Sequence, residues 1–430
     1  MADAAPRLTA LVEQVLGVRT PVRIRAWDNS EAGPPGAPTL VVRHRRALRR
    51  LLWKPSELGL ARAWVAGEIE IEGDLYEALD LLAGLIWERD DDAPRPKPAV
   101  LLDAGRELLS LGGPWPPPAP PREEARRHLG PLHSLRRDRH AISHHYDVGN
   151  EFYQLVLGPS MVYSCAYWDG PEATLEDAQA AKLDLICRKL ALRPGQRLLD
   201  VGCGWGALVL HAAREYGVRA LGITLSEEQA AYARKRVADE GLTDRIEIRV
   251  QDYRELRPGV EGAYDAVSSI GMAEHVGSAQ YAEYATALYD LLKPGGRLLN
   301  HQIARRPERN EETYEIDEFI DRYVFPDGEL APVGRTVLQL EEAGFEVRDV
   351  EALREHYALT LRQWVTNLEA DWKRAVRLTS PGRARVWKLY MAASALAFER
   401  NRIGVNQVLA VRASEGGAAG MPPVAREWRG

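Results

Sequence analysis

Between residues 198 and 206 the chain reads LLDVGCGWG, an acid followed by three glycines at alternate positions. Leu198, Leu199 and Val201 form the end of a buried strand, Asp200 breaks the apolar run, and Gly202, Gly204 and Gly206 turn the chain into a helix from Ala207. A ligand is expected at such a turn, although the same glycines could serve only a tight βα connection. Glycines let backbone amides approach with no Cβ in the way, and small molecules sit beyond the carboxyl ends of the central strands of an open parallel α/β sheet. The spacing separates ligand classes. A nicotinamide dinucleotide asks for GxGxxG and an acid closing the second strand; here the spacing is GxGxG and the second strand, ALGIT, closes on Thr224.

To hold that turn in place the chain needs alternating strands and helices, and the pattern from residue 174 onward supplies them. Thr174 and Asp177 form a capping pair ahead of a helix whose apolar stripe is Leu183, Ile186, Cys187 and Leu190, which makes Cys187 a core residue. Strands at 198–201, 219–224, 246–250, 264–270 and 296–303 enclose helices at 207–216, 226–240 and 279–291, with Ser226 and Gln229 as a second capping pair. This alternation implies a parallel sheet with helices on both faces. Residues 304 to 415 read as mostly helical with FEVRDVEAL a late strand, and the Gly, Ala and Pro rich tail after Ser414 reads as frayed.

Upstream, residues 5–16 suit an amphipathic helix, PVRIRAWD and PTLVVRH read as strands around GPPGAP, and WKPSELGLARAWVAGEI and LYEALDLLAGLIW read as helical. This unit carries no catalytic cluster. GGPWPPPAPP at 112–121 is too proline-rich for helix or central strand and marks a semi-rigid connection. The expected organisation is an accessory domain at 1–110, a linker at 111–123, a main domain at 124–415 and a flexible tail at 416–430.

A chain of 430 residues with 45% hydrophobic side chains builds two or three domains with real cores. The net charge of −6 gives no global attraction for nucleic acid. Three scattered cysteines, Cys165, Cys187 and Cys203, make neither a disulfide framework nor a zinc site, so no metal is expected and a reducing compartment is. The start, MADAAPRL, carries an acid where a signal peptide is basic, and even ALDLLAGLIW is interrupted by Asp80, so a cytoplasmic protein with no membrane span is expected. Two basic runs stand out, RHRRALRR at 43–50 and the Arg and His residues between Arg122 and His145. Both a solvated charged face and contact with an anionic leaflet fit them. Nucleic acid fits less well, because aromatic and basic residues do not interleave.

Several separated strings then coincide. HHYDVGNEFYQLVLGPSMVYSCAYW (144–168), LLDVGCGWG, GITLSEEQ (222–229), SSIGMAEHVG (268–277), LLNHQI (298–303), FIDRYVFPDGEL (319–330) and LREHYALTLRQW (353–364) together resemble the cyclopropane fatty acid synthase family, which uses S-adenosylmethionine (SAM) to alkylate cis double bonds in lipid acyl chains. The resemblance covers residues 140–412 and, more loosely, the N-terminal unit as a lipid-engaging domain. It implies an α/β fold, a doubly wound, mostly parallel Rossmann-like class I methyltransferase sheet with an added smaller α+β N-terminal domain. It further implies SAM contacts at Tyr163, Ser164, Asp200, Gly202, Gly204, Gly206, Thr224, Leu225, Gln229, Asp252, Tyr253 and Gly271. A bicarbonate base would be held by Cys165, Glu274, His301, Ile303 and Tyr357.

The resemblance also implies a peripheral position at the inner face of an anionic phospholipid membrane and a homo-oligomer. Two departures bear on the chemistry. Ser394 stands where some members carry a late-helix cysteine, which excludes covalent catalysis from there, and Ala273 precedes Glu274 where cyclopropane-forming members carry a bulky residue, commonly Phe. Ala273 resembles the branch that converts oleoyl chains to 10-methylene chains for a flavin- and NADPH-dependent reductase. A cyclopropane product and a small-molecule methyltransferase are the alternatives.

Overall fold

The computed structural model describes residues 3–87, 98–113, 115–125, 137, 148–258, 263–311, 314 and 316–421. Its contacts divide the chain into two compact units, one of residues 1–126, 317–324 and 379–396 and one of the remainder.

In the first unit, α1 (Ala4–Leu16) buries Ala4, Leu8 and Leu11, one stripe at helical spacing, and ends on Gly17 in the left-handed conformation. Strands β1 (Arg23–Arg25), β2 (Glu31–Ala32), β3 (Thr39–Val42) and β4 (Ile69–Glu72) form a small mixed sheet in the order β2-β1-β3-β4. Helices α2 (Arg46–Trp53), α3 (Glu57–Val65), α4 (Leu75–Trp87) and α5 (Pro98–Gly112) complete the N-terminal part. Two later segments join this unit, although the sequence reading ran the main domain through them. Polar groups account for it. The Arg62 guanidinium donates twice to Glu124, at 2.7 and 2.6 Å, and the Tyr323 hydroxyl donates to the same carboxylate at 3.0 Å. Trp64 Nε1 donates to the Arg385 carbonyl at 2.9 Å, and Ser380 Oγ to Glu123 at 2.8 Å. Residues 62 to 321 positions apart make these bonds, so local pattern carries no sign of them.

The basic run at 43–50 lies in this unit, and three of its five arginines are paired there with two carboxylates. Arg43 pairs with Glu70, Arg46 lies 3.4 Å from Glu68, and Arg50, only 7% exposed, donates to Glu68 at 2.8 Å. The second basic run falls mostly outside the described residues, apart from Arg122 and Arg137, and the Arg137 side chain is paired with Asp327 at 2.6 Å.

The second unit is built on a seven-stranded sheet ordered β10-β11-β9-β8-β5-β6-β7. Its strands are β5 (Arg197–Val201), β6 (Arg219–Thr224), β7 (Ile246–Val250), β8 (Tyr264–Ile270), β9 (Leu292–Arg305), β10 (Glu346–Ala352) and β11 (Ile403–Val411). All pairings among β5 to β9 are parallel; β11 runs antiparallel between β9 and β10. Helices cover both faces. After α6 (Asn150–Leu157), helices α7 (Leu175–Lys189), α8 (Ala207–Tyr216) and α9 (Glu227–Asp239) pack Leu183, Ile186, Val209, Ala213 and Ala233 onto one face. On the other, α10 (Tyr281–Leu291) and α11 (Val333–Glu342) bring Tyr284, Leu288 and Leu340. Helices α12 (Arg354–Ala370) and α13 (Trp372–Leu378) follow. Thr174 caps α7 with a reciprocal bond pair to Asp177, and Ser226 Oγ accepts the Gln229 amide at the start of α9. Among the described residues no helix is long and apolar enough to cross a membrane.

Candidate active site

The glycine turn after β5 has Gly202, Gly204 and Gly206 all at positive φ, 78°, 54° and 80°. Their surroundings differ. A Cβ on Gly204 would meet nothing within 4 Å, whereas one on Gly206 would stand 3.1 Å from the Ala233 Cβ. Gly204 faces open space; Gly206 lets α8 and α9 pack closely. The amides of Gly202 and Cys203 both donate to the Ile223 carbonyl, at 3.0 and 2.9 Å, which locks the turn to the end of β6. Beneath it Asp200, 2% exposed, accepts from Ser268 Oγ at 2.7 Å. Burial pushes its carboxyl up to about 6 against the opposing effects of Ser268 and Lys182.

A cavity open to solvent lies at the carboxyl ends of these strands. Gly202, Thr224, Leu225, Gln229, Asp252 and Tyr253 line it, joined by Gln251, Met272 and His275, which sequence reasoning missed. Their only signal was adjacency to Asp252 and Glu274. Thr224 Oγ1 donates to Gln229 Oε1 at 2.8 Å, so the capping glutamine is also tied to the strand end. The Asp252 carboxylate is engaged by the Arg254 side chain at 2.9 and 2.8 Å. Asp200, Gly204, Gly206, Gly271, Tyr163 and Ser164 do not line this cavity.

Tyr163 belongs instead to a line of rings. Ring centroids are 4.7 Å apart for Trp205 and Tyr153, 5.6 Å for Tyr153 and Tyr163, and 5.4 Å for Tyr163 and Trp364. The line continues from Trp364 to Tyr357 at 6.0 Å and from Tyr357 to Phe398 at 4.8 Å. It therefore runs from the glycine turn to α12.

A second group lies where β8 and β9 end. The Gly271 amide donates to the His301 carbonyl at 2.8 Å, and the Ile303 amide donates to Glu274 Oε1 at 2.7 Å. Glu274 sits in a single 3₁₀ turn, Ala273–His275. Its Oε2 and both ring nitrogens of His301 are buried without a hydrogen-bond partner among the described residues. Groups so placed ask for a ligand. Enclosure pushes Glu274 up to about 7, opposed by the Ile303 amide. Burial, helped by the charges of Lys182 and Lys189, holds His301 well below its ordinary value, so the imidazole is neutral. Cys165 is fully buried, its thiol pushed up by burial, with Sγ 3.2 Å from its neighbour's carbonyl and 3.6 Å from that of Leu353. Leu353 also accepts the Tyr357 amide at 3.1 Å, which links Cys165 to the start of α12. Ile303 therefore orients Glu274 through its amide.

A mostly parallel sheet with helices on both faces, a glycine turn after its central strand and a cavity at the strand ends define a class I SAM-dependent methyltransferase. The mycolic acid cyclopropane synthetase family model matches residues 133–408, and the chain belongs to that family. It is 46% identical over 419 residues to a probable fatty acid methyltransferase of Mycobacterium tuberculosis, covering 95% of this chain and 94% of that protein. A tuberculostearic acid methyltransferase of the same organism is 32% identical over 407 residues, 91% and 88% of the two chains. Among solved structures, the mycolic acid cyclopropane synthase CmaA1 complexed with SAH and CTAB matches with a TM-score of 0.59 at 32% identity, covering 63% of this chain and 97% of that one.

Proposed function

We propose that the protein transfers a methyl group from SAM to the cis double bond of an unsaturated phospholipid acyl chain, and that oleoyl chains leave as 10-methylene octadecanoyl chains. The observation that carries this reading is the group of buried polar atoms without partners among the described residues, Glu274 Oε2 and the two nitrogens of His301, in a unit that also holds a line of aromatic rings from the glycine turn to α12. An isolated alkene is a weak nucleophile, so its alkylation needs an aligned donor, a dry surround and a base. The faces of Tyr163, Trp364 and Tyr357 favour positive charge, both on a sulfonium and on an alkyl cation. Bicarbonate fits the polar group and when bound there would supply the base. Glu274 Oε2 can accept its proton, and neutral His301 can donate to it from one nitrogen. The Ile303 amide fixes the carboxylate in that orientation.

The test is incubation of the purified protein with SAM and dioleoyl phosphatidylglycerol vesicles, followed by mass spectrometry of the acyl methyl esters. A product cleaved by mild ozonolysis at carbon 10 is expected; an alkene-free C19 product would replace the methylene with a cyclopropane. One observation favours that second reading. Ala273 is 5% exposed and packs in the core with Val276 and Tyr284, so its small side chain bears on Glu274 through the turn instead of loosening the acyl chain directly. The same proposal includes an anionic membrane surface as the place of work, a homo-oligomer, and a flavin- and NADPH-dependent reductase as consumer of the methylene product.

A further inference from the structure

Helix α7 buries two lysines seven residues apart, Lys182 at 2% and Lys189 at 0% exposure, and that spacing puts both on one face of the helix. Lys189 is compensated. Its ammonium is paired with Glu351 and donates to Gln407 Oε1 at 2.8 Å, and Gln407 is the register partner of His301. Lys182 has no such carboxylate. Its one hydrogen bond among the described residues is to Ser164 Oγ, at 2.9 Å, although an ammonium can donate three. The ionisable groups whose charges act on it are Cys165, Asp200 and its own helix's Cys187, and its charge in turn acts on His301 of β9. Burial pushes its ammonium down to about 8, the mark of a charge held in place without a full partner.

We propose that Lys182 is a positioning residue, the fixed counter-charge for an anion held at Glu274, His301 and Cys165. The inference rests on the bicarbonate reading above and adds to it. An anion brought beside an ionised Glu274 faces like charge, and the donors around it, a neutral imidazole and a phenol, carry none to offset it. Lys182 supplies a positive charge from the same face of α7 as Lys189, which reaches Gln407 on the sheet face His301 shares, and its tether to Ser164 holds that charge next to the residue before Cys165. None of the sequence strings that pointed to the chemistry contains Lys182.

The experiment measures binding directly. ¹³C-bicarbonate is titrated by NMR into the protein saturated with S-adenosylhomocysteine, and S-adenosylhomocysteine affinity is measured separately by calorimetry. Lys182→Met is expected to weaken bicarbonate by at least about tenfold and S-adenosylhomocysteine by less than about threefold, since a buried charge is poorly screened. Retained S-adenosylhomocysteine binding also reports that the variant is folded. Should it not fold, the wild type answers alone: bicarbonate affinity should fall several-fold between pH about 7.5 and about 9.5, above the titration of Glu274, while S-adenosylhomocysteine affinity holds. Unchanged bicarbonate affinity in Lys182→Met, or across that pH range, overturns the proposal. So does a parallel loss of S-adenosylhomocysteine affinity, which would assign Lys182 to the methionine carboxylate. If the wild type binds no bicarbonate, the base assignment itself falls and this inference with it.

Discussion

Glu274 and His301 are enclosed together, with opposite consequences for their protons. The Glu274 carboxyl is raised to about 7, so between about 4.5 and 7 the folded protein holds a proton that the unfolded chain has lost. Stability from this group is thus complete below the unfolded value and is lost as pH rises through about 7, a change of roughly 3 kcal/mol. His301 is lowered, so its contribution is present above about 6.5 and is lost as pH falls. The two oppose each other in the wild type. The difference between wild type and Glu274→Gln isolates the first, and urea unfolding at pH about 5 and about 8 should show the variant gaining relative stability at the higher pH. An equal difference at both values would mean that Glu274 is not raised. The same substitution should lower kcat by about 100-fold or more while SAM affinity stays within about threefold, since the cavity of Thr224 and Gln229 is untouched and the orienting acceptor is lost. With bicarbonate held saturating, activity of the wild type should rise as pH passes through about 7.

At the scale of elements, the methyltransferase core was legible because its signals are local. The strands at 219–224, 246–250 and 264–270 and the helix at 207–216 lie where periodicity put them, and both capping pairs formed. Three strands were missed. β11 is buried on both faces along most of its length, so IGVNQVLAV shows no alternation to read, β4 follows α3 after only a short turn through Gly67, at φ 68°, and β2 is only two residues long. The cofactor side of the site was legible from turn glycines and strand ends. The pairing of Glu274 with the Ile303 amide and the place of Lys182 depend on register between distant strands, which no single string contains. The glycine turn makes a prediction at this scale. Gly206→Ala carries both a left-handed backbone and a 3.1 Å approach to Ala233, and should cost about 2–3 kcal/mol in denaturant unfolding. Gly204→Ala has room for its Cβ and should cost about 1 kcal/mol, yet weaken SAM at least about tenfold if SAM fills that open space, as proposed. Equal SAM loss in both variants would remove the distinction.

At the scale of the whole molecule, charge that the sequence offers to a membrane and charge that the fold consumes must be told apart. In the run at 43–50, Arg50 is internal to its unit: it donates to Glu68, which is 2% exposed, and to the Ala119 carbonyl at 2.9 Å. Removing one partner of such a pair leaves the other charge buried, so Arg50→Met should destabilise by about 3 kcal/mol, with part recovered in the double variant Arg50→Met, Glu68→Met. Its binding to anionic vesicles, measured by sedimentation on variants still folded at the assay temperature, should match the wild type, because that charge is already neutralised. Arg45 is different. Its side chain is exposed and lies over the Trp27 ring at 5.3 Å, a contact that leaves the cation available to a headgroup. Arg45→Ala should therefore leave stability within about 0.5 kcal/mol of wild type and weaken binding to vesicles rich in phosphatidylglycerol by about fivefold, the share of one cation near an acidic leaflet. The loss should vanish on neutral vesicles and shrink at high salt. Vesicle binding that follows Arg50 instead of Arg45, or that ignores both, would place membrane contact elsewhere on the chain.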